Sequence, residues 1–423
     1  MADLLNKKLK IIYFNDSFPP HSAGAGIVAY NLAKKMKELR HKIYIITTVQ
    51  ESDLPEKIEY QGLTIFQIYT NHHVRWRAYH SLYNKNTVKR VKQLISDIQP
   101  DIVHFHNVHW RLSYACFKLA KQFGAKTFLT VHDMMLVHYD KFREFVNYND
   151  LSDKPKFNYK ISVWHLLRFS KKRFNPFRNI IIRYYLKYID QIFSVCDELK
   201  NALETNGVRN IITVHNGIDS IISTVNKDQK EKFKIKHGLA GNKIILYGGR
   251  LSGAKGAEVI VAALARLIHQ APQTKLLIAG KKGDVALKLI EFAKKLGVED
   301  NLVFTGWLDR EEIAVAFQAS DIVVVPSIYL DPFPTVNLEA MAAGLPVVGT
   351  CFGGTKELVI NDLTGFIVNP LNIDRFAEKL LTLLKNEDLA QEFGNNGLLR
   401  VTKFFTLEKQ ARKLEKFYFE SLE

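Results

Sequence analysis

The 423-residue sequence is poor in cysteine, with only Cys116, Cys196 and Cys351, all far apart. No CxxC pair and no disulfide framework can be drawn from them, which fits a reducing compartment. The opening residues, MADLLNKKLK, lack the apolar core of a secretory leader. No uncharged apolar run reaches about 18 residues, so no transmembrane helix is expected. Low-complexity tracts and short sequence repeats are also missing.

Hydrophobic residues make up 47% and charged residues 24%, the balance of a globular chain, and 423 residues suit two domains. The net charge is +16 and is unevenly placed. Residues 1–215 carry 33 Lys/Arg against 18 Asp/Glu, whereas the remainder carries 26 against 25. The densest stretch is 141–190, with 12 basic and 4 acidic residues among Phe157, Tyr159, Trp164, Phe169, Phe174, Phe177, Tyr184, Tyr185 and Tyr188. Such a mixture suits an anionic membrane surface or a lipid-diphosphate acceptor, or is a solvated basic face over core aromatics. No nucleic-acid motif accompanies the charge, so no nucleic-acid partner is expected.

Short β-branched and aromatic runs alternate with helix-length amphipathic stretches. Strands are expected at 9–14, 42–47, 63–68, 102–105, 127–131, 191–195 and 211–214, then at 243–247, 275–278, 302–305, 322–325, 347–350 and 366–368. This alternation predicts an α/β protein of two doubly wound, Rossmann-like domains. The polar stretch Asn226–His237 marks the break between them, near 216–240. The end, 407–423, reads as an amphipathic helix through Leu407, Ala411, Leu414, Phe417 and Tyr418.

In open α/β sheets ligands bind beyond the carboxyl ends of strands, so the loops there carry the candidates. After the first strand comes Pro19-Pro20-His21-Ser22-Ala23-Gly24-Ala25-Gly26, with a helix expected from about Ile27 to Leu39. It is neither a GxGxxG fingerprint nor a Walker A loop; a phosphate cradle and a tight turn both fit it. After strand 243–247, the loop Gly248-Gly249-Arg250-Leu251-Ser252-Gly253-Ala254-Lys255-Gly256 places two cations where a diphosphate leaving group would gain charge. After strand 322–325 come Asp331, Phe333, Pro334 and a helix opening near Thr335 and Val336 that carries Glu339. A carboxylate suits the vicinal hydroxyls of a ribose or hexose, and helix-start amides suit an anion. His104, His106 and His109 cluster at another strand end, the first two on one face. Acceptor lining, packing and a metal site are all compatible with them, although no Asp-x-Asp motif appears. Glu357 lines the cleft or caps a helix.

The segment from Asp331 to Glu339 resembles the carboxylate–seven residues–carboxylate motif of family 4 retaining glycosyltransferases, the group containing glycogen synthase and phosphatidylinositol mannosyltransferases. Arg250 and Lys255 resemble that family's Arg–four residues–Lys pair. Gly24 and Gly26 are similar to its N-terminal glycine loop, Thr130-Val131-His132-Asp133 to its strand-end histidine motif, and His215-Asn216-Gly217-Ile218-Asp219 to its Asn-Gly-Val/Ile-Asp turn. The first acid is Asp331 where Glu is commoner. The resemblance implies a GT-B fold, two domains facing a cleft, with an acceptor-side domain over 1–215 joined by a returning helix over 405–423. A nucleotide-sugar domain would span 216–404. It implies that Arg250 and Lys255 neutralise the diphosphate, and that Gly24, Gly26 and Gly249 face the donor phosphates. It further implies that Glu339 holds the ribose, that Asp331 with the amides near Phe333, Pro334, Thr335 and Val336 holds the sugar, and that His132 approaches the reacting carbon. His106 and His109 are assigned to the acceptor. No metal and no cofactor are expected beyond a UDP- or GDP-sugar donor. The expected activity is retaining transfer to a glycan, lipid-linked or other hydroxyl, in the cytoplasm or peripherally at the inner face of the cell membrane. The alternatives are a GT-B sugar-nucleotide epimerase and a non-catalytic sugar-nucleotide-binding module.

Overall fold

The computed structural model describes residues 7–19, 24–219, 225–280 and 283–423, and for Lys172 the backbone alone. Pro20–Ala23 of the glycine loop therefore lie outside the described residues. The chain divides into two compact units: Met1–Asp140 with Tyr159–Asn216 and Leu407–Glu423, and Lys141–Asn158 with Gly217–Thr406.

The first unit is built on β1 (Lys10–Phe14), β2 (Lys42–Val49), β3 (Lys57–Tyr60), β4 (Leu63–Tyr69), β5 (Ile102–Phe105), β6 (Lys126–Val131), β7 (Gln191–Ser194) and β8 (Ile211–Thr213). Their order is β3-β4-β2-β1-β5-β6-β7-β8. All neighbours are parallel except β3 and β4, where Lys57 pairs with Phe66. β3 was not anticipated. Its KIEY sequence is short and solvent-facing, and only its antiparallel pairing at the sheet edge holds it. The central strands are apolar along their length because helices cover both faces.

The second unit holds β9 (Lys243–Tyr247), β10 (Thr274–Ala279), β11 (Leu302–Gly306), β12 (Ile322–Val325), β13 (Val347–Thr350) and β14 (Gly365–Val368), in the all-parallel order β11-β10-β9-β12-β13-β14. Strand order reverses between β9 and β12 here, and between β1 and β5 in the first sheet. Those reversals open the crevices where doubly wound sheets take ligands.

The final helix, Leu407–Leu422, closes the first unit. Ala411, Leu414 and Tyr418 join the core formed by Ile11, Tyr13 and Phe128. The Tyr418 hydroxyl lies 3.1 Å from that of Tyr13 and also meets His104 Nδ1. Glu415 meets His41 Nε2 at 3.0 Å.

The segment 141–158 packs with the second unit. Leu330 N donates to Phe142 O at 2.9 Å, Asn369 Nδ2 donates to Asp150 O at 2.8 Å, and Phe145 and Phe157 meet the Phe352 ring edge-on. The basic stretch is thereby divided. Residues 141–158 hold four basic and three acidic groups, and 159–190, in the first unit, hold eight and one. Trp164 and Phe177 in the latter are 80% and 65% exposed, whereas Tyr159 is buried. Among the described residues no helix is long and apolar enough to cross a membrane.

Candidate functional site

In the second unit the loops after β9 and β12 interlock at the reversal point. Gly256 has φ +73°, and a Cβ there would lie 1.9 Å from the Pro326 carbonyl oxygen. A Cβ on Gly248 would lie 2.2 Å from Val336. Only bare backbone lets the two loops approach this closely. The helix Ala257–Leu267 starts at Gly256, and the helix Thr335–Ala342 starts at Pro334; neither start has a side-chain cap. Their first amides keep the anion-attracting character of uncapped helix N-termini.

Lys255 Nζ lies 2.6 Å from Asp331 Oδ2. Asp331 is buried and also accepts from Ser327 Oγ at 2.7 Å and Tyr329 OH at 2.8 Å. Its oxygens thus already serve three protein donors, so its first task in this geometry is to aim the Lys255 ammonium. Arg250 and Gly249 are exposed on the same loop. Phe333 and Pro334 are buried, while Thr335 and Val336 are partly exposed at the helix start. Glu339 is partly buried on that helix, and its carboxylate has no hydrogen-bond partner among the described residues. Burial pushes its pKa up to about 7, with the Arg310 guanidinium opposing the shift.

In the first unit the reversal between β1 and β5 carries the histidines. His106 Nδ1 lies 2.8 Å from His132 Nε2, which brings together two residues 26 apart in sequence. The rings of His104, His106 and His132 stack, with centroid spacings of 4.7 and 5.1 Å. His104 is a core group: Nε2 lies 2.7 Å from Thr130 Oγ1, and Nδ1 meets Tyr418. Burial pushes His132 down to about 4 and His106 and His109 well below the ordinary imidazole value, so all three are neutral at pH 7. Among the described residues, the buried Nε2 of His106 has no hydrogen-bond partner. His109 lies 3.6 Å from Asp133, whose carboxyl burial raises to about 6. The helix expected from Ile27 begins at Ala25, so Gly24, at φ +59°, is its N-cap, and Gly26 sits in its first turn rather than in the loop.

Two family models match the chain in tandem, Glycosyltransferase Family 4 over residues 22–220 and Glycosyl transferases group 1 over 228–400. The chain belongs to the family 4-like glycosyltransferases. The chain is 24% identical over 411 residues to N-acetyl-alpha-D-glucosaminyl L-malate synthase of Bacillus anthracis, with 95% of each chain covered. It spans only about half the length, 48% and 53%, of two further curated glycosyltransferase relatives, from Bacillus subtilis and Methanocaldococcus jannaschii. Its fold matches sucrose-phosphate synthase from Thermosynechococcus elongatus with a TM-score of 0.76 at 20% identity, covering 98% of this chain and 99% of that one. It also matches Anabaena HepE, solved with UDP and glucose, with a TM-score of 0.71 at 17% identity, covering 97% and 99%. The two Rossmann-like units are those of the GT-B fold.

Several residues of the candidate site were not singled out in the sequence. Ser327 and Tyr329 bind Asp331. Asp16, just after β1, accepts from the amides of Trp110, Arg111 and Leu112 at 2.6, 2.8 and 2.7 Å and so shapes the loop after β5. Its place directly after a strand was the available signal. Arg77 and Arg178 gave none, because composition does not distinguish a buried arginine from a solvated one.

Proposed function

We propose that this protein is a retaining glycosyltransferase that moves a sugar from a nucleoside-diphosphate sugar, a UDP-sugar first among candidates, to an acceptor hydroxyl without a divalent metal. One observation carries the reading. At the β9/β12 reversal, one pair of interlocked loops and the helices they open carry two uncapped helix starts, the Arg250 and Lys255 cations and the Glu339 carboxylate, which has no partner among the described residues. That set matches a nucleoside diphosphate: amides and cations for the phosphates, a carboxylate for the ribose hydroxyls. The UDP in the HepE structure supports the choice of base.

In this reading Lys255, aimed by Asp331, and Arg250 stabilise the diphosphate as the bond from its oxygen to the anomeric carbon breaks. The acceptor oxygen bonds to that carbon on the face the diphosphate leaves, and a leaving-phosphate oxygen takes the acceptor's proton. Such a step needs fixed electrostatics rather than a protein nucleophile. The neutral His106–His132 pair supplies a hydrogen bond to a substrate hydroxyl without adding charge. The expected place of action is cytoplasmic, with the basic, aromatic surface of 159–190 resting on anionic lipid.

The test is a thermal-shift screen of the purified protein against UDP, GDP, ADP, dTDP and their sugar conjugates with EDTA present. A ligand that binds only the folded state raises Tm by mass action. A shift with one nucleotide family that is weakened by Arg250→Ala supports the reading, and no shift with any of them refutes it. The anomeric configuration of the product by NMR decides retention.

A further inference from the structure

Lys141 belongs to no motif, yet it reaches the loop after β9 in the second unit. It opens the segment 141–158, which packs with that unit. Its Nζ donates at 3.0 Å to Ser252 Oγ, 111 residues further along the chain and between Arg250 and Lys255. The same ammonium lies 5.0 Å from the Tyr329 ring centroid, and Lys255 Nζ lies 5.4 Å from that centroid. Two ammonium groups thus share one aromatic ring. The Tyr329 hydroxyl donates to Asp331 Oδ1 at 2.8 Å, so ring, carboxylate and both cations form one cluster.

The segment that carries Lys141 is anchored at several places. Phe142 is buried, and its carbonyl accepts from Leu330 N at 2.9 Å, one residue before Asp331. Phe145 is buried against Phe352. Asp153 Oδ1 accepts from Asn369 N at 2.9 Å, and Asn369 Nδ2 donates to Asp150 O and Ser152 O at 2.8 and 2.9 Å. A cation on an anchored backbone loses less freedom on meeting a ligand than one on a mobile loop.

The cluster is rich in positive charge. Arg250, Lys255 and Lys141 gather on these loops around the Asp331 carboxylate, whose oxygens already serve Lys255, Ser327 and Tyr329. A diphosphate leaving group carries more than one negative charge and gains charge as its bond to the sugar breaks, so a third cation matches it. Lys141 is partly exposed, and its flexible four-carbon stem lets the ammonium turn about its anchored backbone. The neutral Ser252 hydroxyl is a weaker partner for an ammonium than an anionic phosphate oxygen.

We propose that Lys141 is a third phosphate-binding cation of the donor site, resting on Ser252 and turning to the diphosphate oxygens when a nucleoside-diphosphate sugar binds. The inference rests on the glycosyltransferase reading above and extends its donor site to a residue outside the two interlocked loops.

The test compares full-length wild type with Lys141→Met and Lys141→Gln, after thermal melts have shown that each variant folds. Lys141→Met keeps the apolar stem without charge, and Lys141→Gln also keeps a hydrogen-bond donor for Ser252. UDP and UMP are titrated by calorimetry and uridine by ligand-observed NMR, with GDP, GMP and guanosine as a second series. In the series that binds wild type, both variants should bind the diphosphate about 10-fold more weakly, the scale of one lost charge-assisted contact. The loss should shrink for the monophosphate and vanish for the nucleoside, and added salt should narrow it. Wild-type diphosphate affinity in Lys141→Gln would make Lys141 a mere tether to Ser252 and overturn the proposal. Equal losses for diphosphate and nucleoside would overturn it too, because a general distortion of the loops weakens both alike. In either case wild type still binds the diphosphate, and the donor reading stands. Wild type that binds no nucleoside diphosphate overturns the donor reading and this inference with it.

Discussion

Replacing Lys255 by alanine should damage stability and turnover by separable routes. The Lys255–Asp331 contact is 2.6 Å long, with side chains 15% and 5% exposed. Removing the ammonium leaves a buried carboxylate held only by the Ser327 and Tyr329 hydroxyls. Breaking a buried ion pair from one side costs on the order of 3–5 kcal/mol. Two retained hydroxyl donors, each about 1 kcal/mol, reduce that to roughly 1–3 kcal/mol. Turnover falls separately, because the diphosphate loses a cation as its charge develops. A lost transition-state contact of this kind costs about 100-fold, close to 2.7 kcal/mol. The assay follows UDP release from a UDP-sugar alongside thermal melts, for Lys255→Ala and for Lys255→Ala/Asp331→Asn. The double variant should regain most of the lost stability, because the stranded charge is gone, but not the turnover. Near-native turnover in the single variant would remove Lys255 from the site. Full recovery of turnover in the double variant would mean that Lys255 acts only by neutralising Asp331.

Four further outcomes follow from the geometry. Glu339 ionises only as pH rises through about 7, so UDP should bind more tightly as pH rises across that value, and Glu339→Gln should flatten the profile; a pH-independent wild-type Kd would contradict this. The same group makes the free protein less stable as pH rises from its ordinary 4.5 to about 7, because the folded state keeps a proton that the unfolded state releases; melts of Glu339→Gln should lack that decline. Gly256→Ala forces a Cβ to 1.9 Å from the Pro326 oxygen at φ +73°, and scanning calorimetry should show Tm lower by at least about 2–4 °C, the equivalent of roughly 1 kcal/mol in a unit of this size. Replacing the exposed Trp164 and Phe177 together by serine should reduce co-sedimentation with anionic vesicles several-fold, and binding that ignores lipid charge would count against a membrane role for this surface.

Strand positions were legible because buried parallel strands read as short apolar runs, and β5, β9, β12 and β13 begin and end where that pattern does. β3 was not, because an exposed edge strand has no such run. The shared face of His104 and His106 followed from strand alternation, yet the fate of His104 depended on Tyr418, 314 residues away. Spacing flagged Asp331 and Lys255 separately, but their direct pairing depends on how two loops interlock. The stretch 141–190 looked uniform in composition. Folding sends its nearly neutral first part to one unit and its basic remainder to the other, and buries Arg178 within the latter.

The return of the last helix sets an order of events during synthesis. The first sheet is made first, but its core lacks Ala411, Leu414 and Tyr418 until the whole of residues 217–406 has been translated. At about 5–20 residues per second, the ribosome leaves that apolar seam open for roughly 10–40 s. The second unit, encoded within the first, can close earlier. A nascent chain stalled before Leu407 would thus present a finished second unit beside an open, aggregation-prone first sheet.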